Sequence, residues 1–118
     1  SGDYRYVLRY AGLLYNRIKA DICASHGIET GLDAVKMILA GAGAIQMVSA
    51  IYKEGAATIG KSVKTLEEWM NSRNYKSLDH FKGKLSEDQI EDPFVYKRAQ
   101  YIDMLINSEN VMVKNKQI

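Results

Sequence analysis

Cysteine and proline are nearly absent from this chain of 118 residues, with one of each, and no long hydrophobic run occurs in it. The lone cysteine, Cys23, excludes an internal disulfide and gives no metal-ligand spacing, which favours a reducing, cytoplasmic location. No apolar run approaches the roughly 18 residues of a membrane-spanning helix, and no signal peptide is recognisable. The net charge of +2 is too small to indicate nucleic acid or an anionic membrane as a partner.

What is present is the composition of a globular domain, with 47% hydrophobic and 25% charged residues. The apolar spacing predicts a helix over 4–18, a strand over Ala20–Ser25, and a second helix that Thr30 caps and Gly41 ends. The run Ala44–Tyr52 predicts another strand, apolar on both faces as buried parallel strands are. Helices and strands that alternate through tight connections indicate an α/β fold.

The second half of the chain is predicted to be helical. An apolar stripe predicts a long helix between Gly55 and Asn74, followed by a short helix that Ser77 caps. The only proline, Pro93, is a suitable first residue for a last helix. We interpret the aromatic side chains of this half as core residues: Trp69, Tyr75 and Phe81.

Two short stretches could bind an anion, Ser25-His26-Gly27-Ile28 and Met47-Val48-Ser49-Ala50. Each follows a predicted strand, and two strands separated by one helix lie side by side in a parallel sheet. Backbone N–H groups of both turns could then form one phosphate site, as after the last two strands of many barrels. Each turn is equally explained as an ordinary strand-to-helix connection, and the pattern leaves both explanations open.

Other candidates have simpler explanations. The Gly41-Ala42-Gly43 sequence follows a helix and opens a strand, whereas a dinucleotide loop does the reverse, so we interpret it as a helix stop. We interpret Cys23 as a buried, inert thiol inside an apolar strand. His26 has no second histidine near it in sequence, which favours phosphate contact or simple exposure over catalysis. No catalytic triad or carboxylate pair is recognisable.

Three segments carry a resemblance to a known family. The sequence HGIETGLDAVKMILAGAGAIQMVSAIYKEG resembles the end of the dihydroorotate dehydrogenase family of FMN-binding barrels. The segment RNYKSLDHFKGKL resembles the part that closes those proteins, and YKRAQYIDML is similar to the tail of a bacterial dihydroorotate dehydrogenase-like subgroup. The resemblance implies a flavoprotein oxidoreductase that oxidises dihydroorotate to orotate in pyrimidine biosynthesis.

The family fold is a TIM (β/α)8 barrel, so the resemblance makes Ala20–Ser25 strand seven and Ala44–Tyr52 strand eight. The expected fold class is therefore α/β, a C-terminal barrel fragment with a helical extension. Residues 1–85 would form the last two β/α units, and residues 86–118 a linker and C-terminal helix. Because a barrel needs about 250 residues, the chain alone should be helix-dominated, and should associate with the missing barrel portion or form a homo-oligomer.

The resemblance also implies where FMN binds. The family holds the FMN phosphate on backbone amides, at a Gly-Gly turn after strand seven and a Gly-Thr or Gly-Ser pair after strand eight. Gly27 and Ser49 match this pattern, whereas His26 and Val48 stand where the family has glycine. The catalytic base of the family lies upstream of these residues, so no catalytic residue is assigned here. The expected cofactor-binding residues are His26, Gly27, Ile28, Val48, Ser49 and Ala50.

Three functions follow from these observations. The preferred one is the FMN-phosphate-binding part of a dihydroorotate dehydrogenase-like enzyme, inactive by itself. The second is the phosphate-binding part of another barrel enzyme, because barrel phosphate sites recur across chemistries. The third is a non-enzymatic interaction fragment that binds partners through the apolar stripes of helices 57–75 and 94–107.

Overall fold

The structure is a computed structural model, and it describes residues 4–86. The predicted helix that begins at Pro93 lies outside these residues. The described elements, in chain order, are α1 (Tyr4–Leu14), β1 (Cys23–Ser25), α2 (Gly31–Ala40), β2 (Ala44–Gln46), α3 (Ser49–Glu54), α4 (Ala57–Ser72) and a 3₁₀ turn (Leu78–His80).

The two strands form a small parallel sheet. Its register pairs Cys23 with Ala44, Ala24 with Ile45, and Ser25 with Gln46. Because α2 connects the strands, the three elements form one β–α–β unit, which confirms the predicted helix and strand order.

Both strands are shorter than predicted. β1 lacks the first residues of Ala20–Ser25, and the strand predicted over Ala44–Tyr52 ends at Gln46, because residues 49–54 form α3. The prediction of strand beyond Gln46 was therefore wrong. The physical reason is that a short run apolar on both faces suits a buried strand and a buried helix turn equally well.

Helix α2 begins and ends where the sequence predicts. The Thr30 hydroxyl accepts the N–H of Asp33 at 3.2 Å, and the Asp33 carboxylate accepts the N–H of Thr30 at 3.1 Å, which completes a capping box. At the other end, Gly41 has φ 130° and its N–H donates to the carbonyls of Met37 and Ile38. Residues next to the helix in sequence thus mark both of its ends.

Helix α4 packs very closely on α2. A Cβ atom added to Gly31 would lie 2.6 Å from the Cβ of Thr65 and 2.7 Å from the Ser62 carbonyl oxygen, so only glycine allows this approach. The small side chains of α4 therefore face α2, and Ile59 and Val63 remain about half exposed, at 50% and 49%.

Residues 73–86, here the closing segment, complete the core. Phe81 is fully buried, with its ring centroid 4.9 Å from that of Trp69 and 5.3 Å from that of Tyr75, which confirms Trp69 and Phe81 as core residues, whereas Tyr75 is half-buried and packs against them. The N–H groups of Gly83 and Leu85 then donate to the carbonyls of Ile38 and Leu39 at 2.9 and 2.8 Å. The closing segment is thereby fixed to the end of α2.

Two local predictions need correction. Cys23 is exposed rather than buried, because it lies on the sheet face opposite Ala24, and only the Ala24 face is covered by helices. Ser77 occupies the predicted cap position, but its side chain makes no capping hydrogen bond; instead His80 Nδ1 accepts the N–H of Lys76 at 3.0 Å. No helix within residues 4–86 is both long and apolar enough to cross a membrane.

Candidate functional site

The two predicted anion-binding turns leave the sheet at one edge. The parallel register places Ser25 beside Gln46, so the chain turns out of both strands at neighbouring carboxyl ends. In open β/α sheets and in β/α barrels, ligands bind at the carboxyl ends of the strands. The structure therefore brings the turn after β1 and the turn after β2 together, as the sequence predicts.

The first turn has the backbone conformation of a glycine pair. His26 has φ 81° and Gly27 has φ 74°, both in the left-handed region. This conformation costs an L-residue such as His26 about 1–2 kcal/mol and costs glycine nothing. Val48, the other position that departs from the expected glycine, has φ −119° and is in an ordinary conformation. His26 therefore adopts a backbone conformation that favours glycine, whereas Val48 does not.

The two turns combine exposed side chains with unused backbone donors. His26 and Ser49 are exposed, and Val48 is 63% exposed. None of the hydrogen bonds found among residues 4–86 uses the N–H groups of Gly27, Ile28, Ser49 or Ala50. Four backbone donors at one sheet edge suit the oxygens of a phosphate, so these residues fit a phosphate-bearing cofactor.

An ion pair joins the connection after β1 to helix α3. Lys53 Nζ in α3 donates to Glu29 Oε1, three residues beyond His26, at 3.0 Å. This hydrogen bond, followed by the lysine's charge, holds the pKa of Glu29 below its ordinary value of 4.5. The N–H of Glu29 also donates to the Asp33 carboxylate at 3.0 Å. The sequence did not predict this pair. Its only sign in the sequence is that an acidic residue follows the first turn and a basic residue follows the second.

A second concave region lies along β2. Within residues 4–86, β2 pairs only with β1, and an apolar groove of about 390 Å³ extends along β2 between α2 and α4. No charged residue among residues 4–86 lines the groove, so these residues do not suit a phosphate there. The sequence did not predict it. Its principal lining side chains are Ile38, Ile45, Met47, Ile59, Val63 and Leu66.

No cluster of three histidine, cysteine or acidic side chains suited to a metal ion is found within the described part of the chain. The unit defined so far is a parallel β–α–β unit with donor-rich turns at its strand ends, which is typical of proteins built from β/α repeats. The dihydroorotate dehydrogenase family model matches residues 6–70, more than half of the chain. The chain belongs to the dihydroorotate dehydrogenase family, whose members are TIM-barrel oxidoreductases that generally use a flavin.

Individual relatives agree with this assignment. Dihydroorotate dehydrogenase A (fumarate) of Lactococcus lactis subsp. cremoris is 44% identical over 73 residues, 60% of this chain and 24% of the relative. A putative dihydroorotate dehydrogenase A (fumarate) of Streptococcus pyogenes is 38% identical over 88 residues, 71% of this chain and 28% of the relative. Dihydroorotate dehydrogenase (fumarate) of Lachancea kluyveri is 37% identical over 65 residues, 55% and 21% respectively. The chain spans about a quarter of the length of these relatives.

Proposed function

We propose that this chain is the C-terminal, FMN-phosphate-binding portion of a dihydroorotate dehydrogenase-like flavoprotein, with β1 and β2 as strands seven and eight of the barrel. When bound, FMN supplies a hydride acceptor for the oxidation of dihydroorotate to orotate. The residues that would hold its phosphate are His26, Gly27, Ile28, Val48, Ser49 and Ala50. Family membership favours this function over that of an unrelated phosphate-binding barrel.

One observation carries the proposal: both turns leave the paired strand ends with backbone N–H groups that no acceptor within residues 4–86 uses. A phosphate held by main-chain N–H groups tolerates changes of side chain, so His26 and Val48 can replace glycine without removing a donor. The Ser49 hydroxyl adds a further donor at the same edge. The Glu29–Lys53 pair, at 3.0 Å, links the connection after β1 to helix α3 and limits their separation.

We propose further that the chain alone has no turnover. The matched residues make up only 24% and 28% of two of its relatives, and a barrel active site takes residues from the ends of several strands. The unpaired edge of β2 and its apolar groove would be covered by the remaining barrel portion. In this arrangement, residues 1–85 supply the last two β/α units, and the residues after them extend beyond the barrel.

Equilibrium dialysis of the chain against FMN, with riboflavin as the ligand that lacks phosphate, tests the proposed site. We expect saturable binding of FMN and at least tenfold weaker binding of riboflavin. Gly27→Val should remove the difference, because a β-branched side chain at φ 74° distorts the turn. Gly55→Val is the matched control, since Gly55 has φ 85° but lies in the turn after α3.

The dialysis is repeated with the upstream barrel portion of the Lactococcus lactis relative added as a separate chain. Binding that appears only in this mixture supports the proposal and shows that the site requires the other strands. Failure to retain FMN both alone and in a mixture shown to form a complex would overturn it. Dihydroorotate oxidation by the isolated chain would overturn the absence of turnover and leave the FMN site standing.

A further inference from the structure

The Glu29–Lys53 ion pair places a positive charge near the two candidate phosphate-binding turns. Lys53 is the single lysine or arginine in residues 26–35 and 47–60, a span that includes both turns. Its Nζ lies 3.0 Å from Glu29 Oε1, and Glu29 is two residues beyond Gly27. The ammonium group of Lys53 is therefore held between the connection after β1 and helix α3.

The position of Lys53 in α3 also relates it to Ser49, in the second turn. The two residues are four positions apart in one helix, so their side chains lie on the same face. In a helix each Cα–Cβ bond is tilted toward the N-terminus, so the flexible stem of Lys53 leaves the backbone in the direction of Ser49. A change of rotamer would therefore move the ammonium group from Glu29 toward a ligand bound at Ser49.

The ion pair is open enough to exchange partners. The side chains of Lys53 and Glu29 are 59% and 36% exposed, and exposed ion pairs contribute little to stability because water competes for both charges. A phosphate monoester carries a charge of about −1.5 to −2 at pH 7, which exceeds the single charge of a carboxylate. Backbone N–H groups carry no net charge, so they leave the charge of such a phosphate uncompensated.

The neighbouring acidic side chains have other partners. Asp33 caps α2 and pairs with Lys36 at 3.8 Å, and Glu54 accepts a hydrogen bond at 3.4 Å from a hydroxyl group of α4. In the part of the chain that the structure describes, Glu29 is therefore the acidic side chain that holds the ammonium group of Lys53 in place.

We propose that Lys53 exchanges partners when a ligand binds: Glu29 holds its ammonium group beside the turns, and a phosphate monoester bound at the turns then takes it over. This inference rests on the proposed function, since the phosphate is that of FMN. Lys53 supplies the charge recognition that backbone N–H groups lack, and it favours a doubly charged monoester over a singly charged diester. Glu29 is a positioning residue, because it acts through Lys53.

Replacing the two partners of the ion pair one at a time tests the exchange. The FMN dissociation constant is measured by equilibrium dialysis, on the chain alone and on its complex with the upstream barrel portion of the Lactococcus lactis relative. Lys53→Met should weaken FMN binding at least tenfold, whereas Lys53→Arg, which keeps the charge, should weaken it less than threefold. Glu29→Gln should leave binding unchanged or make it up to threefold tighter, because the carboxylate no longer competes for the ammonium group.

A matched control and a change of salt separate charge recognition from folding. Lys61→Met removes an exposed charge on α4 and should leave the dissociation constant unchanged. Added salt should weaken FMN binding by the parent chain more than by Lys53→Met, because that variant has lost the ionic contact.

The two variants of the ion pair also distinguish the exchange from a purely structural link. If the pair only holds the connection after β1 to α3, Lys53→Met and Glu29→Gln should weaken binding equally. Equal losses, or a Lys53→Met variant that binds FMN as tightly as the parent chain, would overturn the exchange and leave the backbone site standing. A parent chain that binds FMN neither alone nor in the complex would overturn the proposed function, and the exchange with it.

Discussion

The closing segment and the strand-end turns are both connections outside the long helices, yet they are built in opposite ways. The closing segment places Phe81 at 0% exposure and donates two backbone hydrogen bonds to the end of α2. The strand-end turns leave Val48 at 63% exposure and four backbone N–H groups without a hydrogen-bond acceptor among residues 4–86. The closing segment is therefore the more tightly packed connection, and the strand-end turns are the more exposed.

Truncation of Phe81 should have the largest effect. Phe81→Ala removes a ring in contact with Trp69 and Tyr75, and should lower the free energy of unfolding by about 3–5 kcal/mol. Val48→Ala, in the exposed turn, should change it by less than about 0.5 kcal/mol. Urea denaturation followed by circular dichroism measures both. Similar losses for the two variants would remove the contrast between the regions.

Gly83 tests whether the closing segment depends on close packing. Gly83→Ala should destabilise by about 1–3 kcal/mol more than Gly55→Ala, because its Cβ would overlap the Tyr15 ring whereas Gly55 faces open space. Both glycines have positive φ, at 77° and 85°, so alanine is strained at either position, and Gly55, with ψ 176°, lies in a region that is essentially restricted to glycine. A lower urea midpoint for Gly83→Ala than for Gly55→Ala would therefore report the packing effect. Equal midpoints would show that the Tyr15 ring moves aside at little cost.

At the strand-end turn, His26→Gly should stabilise rather than destabilise, by up to about 1 kcal/mol. Glycine removes the strain of the left-handed conformation at φ 81°. It also gives the unfolded chain more conformational entropy, which offsets part of this gain in stability. His26→Ala keeps an L-residue at this φ and should bring no such gain. Thermal unfolding of the two variants separates backbone strain from loss of the imidazole, and a gain for alanine equal to that for glycine would contradict the strain.

The Glu29–Lys53 pair should give the smallest effect, and one that depends on pH. Because folding lowers the pKa of Glu29 below 4.5, the pair stabilises the folded state above that pH and stops doing so as the pH falls through the lowered pKa. Glu29→Gln should therefore be slightly less stable than the parent chain at pH 7, and this deficit should shrink at a pH below 4.5. Exposure of both side chains keeps the effect small.

Urea titrations at both pH values measure the effect, with Glu67→Gln on the exposed side of α4 as the control. A deficit for Glu29→Gln that persists unchanged at low pH would show that the carboxylate charge is not its cause.

Local chemistry explains which parts of the fold were predictable. The capping residues Thr30 and Asp33 act within one turn, so the start of α2 could be predicted from four consecutive residues. A glycine that ends a helix, such as Gly41, also acts on the residues next to it in sequence. The end of β2 was missed because strand length depends on neighbouring strands, and exposed Cys23 was missed because burial depends on what covers a sheet face.

The candidate site likewise contains features that the sequence predicts and features that it does not. The sequence alone placed both turns after strands, and the alternation of elements implied that they are neighbours. The contact between Glu29 and Lys53 joins residues 24 positions apart, and no local pattern indicates such a pair. The groove along β2 arises where two helices and a strand edge meet, which no single segment encodes.

The position of Tyr15 has a consequence for how this sequence can change over time. Its ring lies between Gly41, where an added Cβ would approach to 2.7 Å, and Gly83, which it contacts from the other side. Three positions distant in the chain therefore share one space. A larger residue at 41 or 83 carries backbone strain from the positive φ and escapes the overlap only after a smaller residue has appeared at 15, so the order in which substitutions arise affects which of them survive.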